Sequence, residues 1–203
     1  MNKARFESFA DAVFAFAITL LALGFVLPRT HLANNRELAH ALLGLWPNLV
    51  AYALSFSVIG IMWQNHHALF RFVRTVDRRT IFWNLLLLAS TVLIPFATTT
   101  LGSYPIFAAA AFLYGAVLSA CAVFYNLMLL HLVRSHSFEP QVAQATIDQT
   151  VRGYRMGLLI YVTATLVALA LPLVSFGLYL VVVMYFLVPR GADADHMLTA
   201  RRW

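Results

Sequence analysis

Apolar residues in this chain gather into long runs separated by short polar clusters. The first run covers residues 6–27 and stops at Pro28-Arg29; the second covers 39–70 and ends in the cluster Arg71, Arg74, Arg78 and Arg79. A third run, 81–101, carries Pro95 as a point for a kink and leads into the turn sequence Gly102-Ser103-Tyr104-Pro105. The fourth covers 106–133. Between Arg134 and Arg155 the composition turns polar, which predicts a loop with a surface helix, and the last two runs cover 156–171 and 175–188 on either side of Pro172. About 20 apolar residues are what a helix needs to cross ~30 Å of hydrocarbon. The pattern predicts an all-α polytopic membrane protein of about six transmembrane helices, forming one integral domain over residues 1–203. The second run exceeds a minimal crossing, so it projects from the bilayer or tilts. The last two runs are short and fit either two crossings or a hairpin.

Composition supports lipid as the solvent of the fold. Hydrophobic residues make up 62% of the chain and charged residues 11%, with a mean hydropathy of +0.79; ordinary globular domains carry about 25% charged residues. Such a chain cannot cover itself with polar surface. The single cysteine, Cys121, lies inside an apolar run, which excludes an intramolecular disulfide framework and reads as a small buried hydrophobe. Lys3 and Arg5 precede the first run as in a secretory signal, but Glu7 and Asp11 intrude and no small-residue cleavage site follows, so the segment is a retained helix.

A formal charge of +6 suggests nucleic acid only until the cations are placed. They lie between the spans. With six crossings, Lys3, Arg5, Arg71, Arg74, Arg78, Arg79, Arg134, Arg152, Arg155, Arg190, Arg201 and Arg202 share one side and only Arg29 and Arg36 the other. Twelve against two is the bias of a cell-membrane protein with both termini cytoplasmic. Arg78 and Arg79 are thereby topology determinants, and no nucleic-acid partner is expected.

At ~100° per residue, Phe9, Ala12, Phe16, Leu20, Leu23 and Leu27 fall on one narrow stripe of the first helix, with Thr19 at its edge. Glu7, Asp11, Phe14, Ile18 and Phe25 fall on roughly the opposite face. A carboxylate this close to hydrocarbon needs a cation or donors, and His66, His67, Arg71 and Asn84 are the candidates for Asp11. A paired structural anchor is favoured over a proton-coupling or merely interfacial acid. On the second run Tyr52, Ser55 or Phe56, Ile59, Trp63, His66 and Phe70 share a stripe. Adjacent His66 and His67 point about 100° apart, unlike the i, i+4 pair of a helical metal site, so a hydrogen-bonding role is expected and no metal. Asn84, Thr91, Thr98, Thr99, Thr100, Tyr125 and Asn126 read as interhelical glue. There is no Thr-Val-Gly-Tyr-Gly filter, no spaced Arg series, no Walker loop and no His-Glu-x-x-His helix. Nor does a nucleophile with a nearby base stand out, so an enzyme is unsupported and no cofactor is called for.

Arg5-x-x-x-Phe9-x-Asp11, opening an apolar helix, resembles the Arg-x-x-x-Phe-Ser-Asp motif of the endosomal and lysosomal potassium channel family known as transmembrane protein 175, bacterial members included. Tyr52-x-x-Ser55-Phe56, Gly60-x-x-Trp63-x-x-His66-His67-x-x-Phe70, Asn84-Leu85-Leu86 and Pro95-Phe96 are similar to that family's second and third helices. The resemblance covers about the first half of the chain and is topological beyond it. Two positions depart from the pattern: Ala10 stands in place of the motif Ser, and Phe16 in place of the Ile usual at the narrowest point.

The resemblance implies that the chain is a single repeat, four copies of which form a homotetramer around helix 1 in the bilayer. K⁺ would then pass a constriction made by Phe16, Leu20 and Leu23, with Ala12, Thr19 and Leu27 also lining the pore. Arg5, Phe9 and Asp11 would be the motif that anchors the helix, and Trp63, His66, His67 and Asn84 a polar network on helices 2 and 3. Two alternatives stay open: a pore of the same fold for another ion or solute, and a non-conducting scaffold or membrane enzyme using Asp11, His66 and His67.

Overall fold

A computed structural model describes residues 2–27 and 33–187; Arg29, Arg190, Arg201 and Arg202, which counted in the charge split, lie outside them. The chain is all-helical. Helix α1, Lys3–Leu20, starts where the Asn2 side chain accepts from Ala4 N, and tightens at its end into a 3₁₀ turn, Leu21–Gly24. Helix α2, Asn35–Gly44, opens on a reciprocal cap: Glu37 N–H donates to Asn34 Oδ1 (3.0 Å) while the Glu37 carboxylate accepts from Ala33 N (2.8 Å). None of its residues is buried.

The second apolar run is therefore two helices rather than one. Pro47 stands in the first turn of α3, Trp46–Arg71. Continued from α2, its ring would strike a carbonyl one turn back and its nitrogen would have nothing to donate, so the chain breaks at Leu45 and restarts. Pro95 acts in the same way on the third run. Helix α4, Arg78–Val92, gives way at Leu93 to α5, Ile94–Ser103, the two forming a broken rod of 26 residues.

Helix α6, Ala108–Arg134, follows. Helix α7, Gln144–Val167, absorbs the expected surface helix, so the fifth run begins twelve residues before its apolar part. Helix α8 is Pro172–Leu187. Among the described residues, four stretches are long and apolar enough to cross a membrane: Lys3–Gly24, Trp46–Arg71, Arg78–Ser103 and Ala108–Arg134. Six crossings are expected from the apolar runs; only the coarser reading, an all-helical multi-pass protein, is shown, since α7 starts polar and α8 is short.

Lipid tails are as apolar as leucine, so close packing and interhelical hydrogen bonds hold such a bundle together. Helix α6 lies at the centre, against α4, α5 and α7; α1 packs on α3 and α4, and α8 on α7, α3 and α6. Gly102 lets α5 approach α3, since a Cβ there would sit 2.8 Å from Asn48 Cα. Ser55 bonds Thr98 (2.7 Å) and Tyr114 (3.0 Å), joining α3, α5 and α6, while the Asn126 amide donates to Tyr154 O (3.1 Å) on α7. Of the polar residues read as glue, Asn84, Thr98, Tyr125 and Asn126 bond across helices. Thr91 donates to Leu87 O of its own helix and also meets Cys121 Sγ of α6 at 3.9 Å, whereas Thr99 and Thr100 donate to carbonyls of their own helix one turn back. A short hydroxyl stem reaches its own helix first.

Two connections meet at one end of the bundle. Arg74 N–H donates to Ser137 O and Glu139 N–H to Phe72 O, each at 2.8 Å, forming an isolated antiparallel bridge between Val73 and Phe138. Asp77 caps α4 through the backbone N–H and hydroxyl of Thr80 and accepts from His131 Nε2 at 2.9 Å. The basic clusters at 71–79 and at Arg134 thus lie on the same side. Helix α6 ends in a Schellman turn: Ser137 N–H reaches Leu132 O and His136 N–H reaches Val133 O, with His136 itself at φ 49°.

Candidate functional site

Helix α1 divides into two faces. Phe6, Ala10, Phe14, Ala17 and Leu21 are buried against the bundle, none more than 2% exposed. Phe9 is 50%, Phe16 58% and Leu23 72% exposed. Ala12 and Thr19 are exposed and Leu20 half-buried. The stripe picked out by periodicity is thus the face that the chain itself leaves uncovered. Leu27 departs from it: the helix has ended at Gly24, and residues 25–27 run without helical structure. The Thr19 hydroxyl is turned back onto Phe16 O at 2.8 Å.

The buried face is clamped by aromatic and polar groups. His66 of α3, 1% exposed, lies among Phe6, Phe14 and Phe70, with ring centroids 6.0, 5.5 and 4.6 Å away. Its Nε2–H donates to Asn84 Oδ1 of α4 at 2.9 Å. One imidazole therefore joins α1, α3 and α4. His67 points elsewhere, accepting from the Arg71 guanidinium (3.2 Å) and stacking on Trp63.

Asp11 is half-buried beside α3 and takes none of the four partners considered from sequence. Its Oδ1 accepts from Trp63 Nε1–H at 2.9 Å. The sequence reading places Trp63 on the right stripe and in the polar network of helices 2 and 3, but not among the partners of Asp11. Its signal as a donor was chemical, because an indole N–H in an apolar setting seeks an acceptor. Arg5 is exposed at the start of α1, and Phe25 packs on Tyr52 at 5.2 Å.

This arrangement pins one side of a helix by an aromatic box and a Trp–Asp bond and leaves the other side apolar and bare. It defines a small all-helical, multi-pass membrane protein built to present its first helix outward. The family profile described as endosomal/lysosomal potassium channel TMEM175 matches residues 5–95. A potassium channel of Chamaesiphon minutus is 33% identical over 192 residues, 93% of this chain and 95% of that protein. A potassium channel of Streptomyces collinus is 40% identical over 79% of this chain and 80% of its own length. The chain belongs to the TMEM175 family. The crystal structure of the lysosomal potassium-selective channel TMEM175 homologue from Chamaesiphon minutus superposes with a TM-score of 0.82 at 32% identity, covering 92% of this chain and 96% of that one. The fold is also shared, at 18% identity and TM-score 0.64, with a variant of the potassium channel MtTMEM175.

Proposed function

We propose that this chain is a potassium channel whose ions pass along the exposed stripe of α1. The observation that carries the assignment is the bare stripe Phe9, Phe16 and Leu23, exposed on a helix whose opposite face is fully packed, in a chain whose relatives are potassium channels. One such helix cannot enclose a conduit. Four copies related by cyclic symmetry bring four stripes to one axis, and Phe16, Leu20 and Leu23 then form stacked apolar rings. An apolar ring offers an ion no substitute for its hydration shell, so a narrow one excludes water and resists current, and widening it admits both. Ala12 lines the path one turn before the Phe16 ring, and Thr19 lines it between the rings of Phe16 and Leu20. Asp11 serves as a positioning residue, since Trp63 holds it on the side of α1 turned toward α3. The basic clusters at 71–79, Arg134, Arg152 and Arg155 support a cell-membrane protein with both termini cytoplasmic.

Native mass spectrometry of detergent-extracted protein tests the assembly: four copies per particle are expected, and a stable monomer removes the pore. Reversal potentials of purified protein in a planar bilayer under opposed K⁺ and Na⁺ gradients test the ion. A potential near that of K⁺ is expected, and one that ignores the K⁺ gradient overturns the assignment.

A further inference from the structure

The bare stripe of α1 does not begin with an apolar residue. Arg5 stands four residues before Phe9, and at ~100° per residue Arg5, Phe9, Ala12 and Phe16 fall within about 60° of one another. All four are exposed. Arg5 lies in the first turn of the helix, eleven residues before Phe16 or about 16 Å along the axis. The two carboxylates of α1 point well over 100° away from the stripe. Both are already engaged, Glu7 with Lys3 at 4.0 Å and Asp11 with the Trp63 indole at 2.9 Å. Among the described residues no ion pair reaches the Arg5 guanidinium.

Its own helix gives this charge no support. The first turn of α1 holds no acid, and a cation there adds to the positive end of the helix dipole. The charge bias that orients a membrane protein takes no account of azimuth, so Lys3 on the far side of the helix serves it as well. What sets Arg5 apart is the direction it faces. Resting on the reading of α1 as the pore helix, we infer that four Arg5 side chains form a cationic ring at the N-terminal mouth of the pore. The ring thins out K⁺ at that mouth and limits the current that enters there. Four unit charges, each about 8 Å from an ion at the mouth, deplete K⁺ about fivefold at 0.1 M salt and about 1.3-fold at 1 M, where the Debye length falls to about 3 Å. Na⁺ is repelled as strongly as K⁺, so the ring sets rate and not choice of ion.

The test is single-channel recording of the purified full chain in planar bilayers with symmetrical KCl at 0.1 and 1 M. In wild type the ratio of current entering at the N-terminal mouth to current leaving there is expected to rise about three- to fourfold between the two salts. Arg5→Gln is expected to raise the entering current about fivefold at 0.1 M, with little change at 1 M and none in the reversal potential. Arg5→Lys keeps the charge and should behave as wild type. Cys121 is buried, so in Arg5→Cys a cationic methanethiosulfonate should restore the low current, and only from the side of the N-terminal mouth. Equal entering currents in Arg5→Gln and wild type at 0.1 M, a gain that persists at 1 M, or a raised current in Arg5→Lys overturns the inference, while a wild-type reversal potential near that of K⁺ leaves the pore assignment standing. If the variants do not assemble, wild type alone decides, since a current ratio independent of salt overturns the ring. A wild type without K⁺ current removes both readings.

Discussion

Phe14 and Phe16 are the same side chain two positions apart on α1, and truncating each to alanine should damage different properties. Phe14 is 1% exposed and stands edge-on to His66 at 5.5 Å, whereas Phe16 is 58% exposed and touches little of its own chain. Removing a fully buried phenyl ring costs about 3–5 kcal/mol in a core. In lipid the transfer part of that cost falls away and the lost packing remains, so Phe14→Ala should cost on the order of 3 kcal/mol. For a chain of this size that corresponds to a melting shift of roughly 6–12 °C. Phe16→Ala leaves no cavity inside the protomer and should shift its melting by under about 2 °C. In the proposed pore it removes four rings from the constriction, so conductance should rise and K⁺ over Na⁺ discrimination weaken. Phe16→Ile, the residue usual in the family, should keep a pore and conduct at least as well as wild type. Fluorescence-detected size-exclusion melts and bilayer recordings at matched protein yield give both readouts. Equal melting shifts for the two alanine variants would refute the division of α1 into faces, and unchanged conductance in Phe16→Ala would remove it from the constriction.

Trp63→Phe deletes the donor to Asp11 and should cost about 1.5–3 kcal/mol. Asp11→Asn keeps an acceptor oxygen, should cost less, and should leave the reversal potential unchanged; altered selectivity in a well-folded Asp11→Asn would put the carboxylate on the ion path. Partial burial alone would raise the pKa of Asp77, but the Thr80 N–H and hydroxyl and the His131 ring outweigh it and hold the carboxyl at about 2 against an ordinary 3.8. A depressed folded pKa means that stability is present above pH 3.8 and is lost as pH falls toward 2. Acid melts over that interval should be steeper for wild type than for Asp77→Asn, and Asp77→Ala should cost about 1 kcal/mol at neutral pH through loss of the cap. His136 occupies the left-handed region at φ 49°, where a non-glycine residue costs about 1–2 kcal/mol. The greater unfolded freedom of glycine offsets part of this, so His136→Gly should stabilise the chain by about 0.5–1 kcal/mol, readable as a higher melting temperature.

Run length and the period of apolar residues were enough to establish an all-helical, multi-pass membrane protein, because a bilayer permits few ways to satisfy backbone groups. The same period separated the two faces of α1: Phe9 and Phe16 fell on the bare side and Phe14 on the packed one, since ~100° per residue is a property of the helix alone. The motif from Arg5 to Asp11, with Trp63, His66 and Asn84, was legible for the same local reason. Pro95 marked the break at Leu93, but hydropathy could not see the break at Leu45, where Pro47 overrides an unbroken apolar run, or the merging of the polar stretch before Arg155 into α7. It also carried the stripe past Gly24 to Leu27, where the helix has already ended. Only the tertiary structure assigned partners. Which donor reaches Asp11, whether His66 meets Asn84 and which hydroxyls cross between helices all depend on how neighbouring helices dock and rotate. A wheel gives the direction of a side chain but not what stands opposite it.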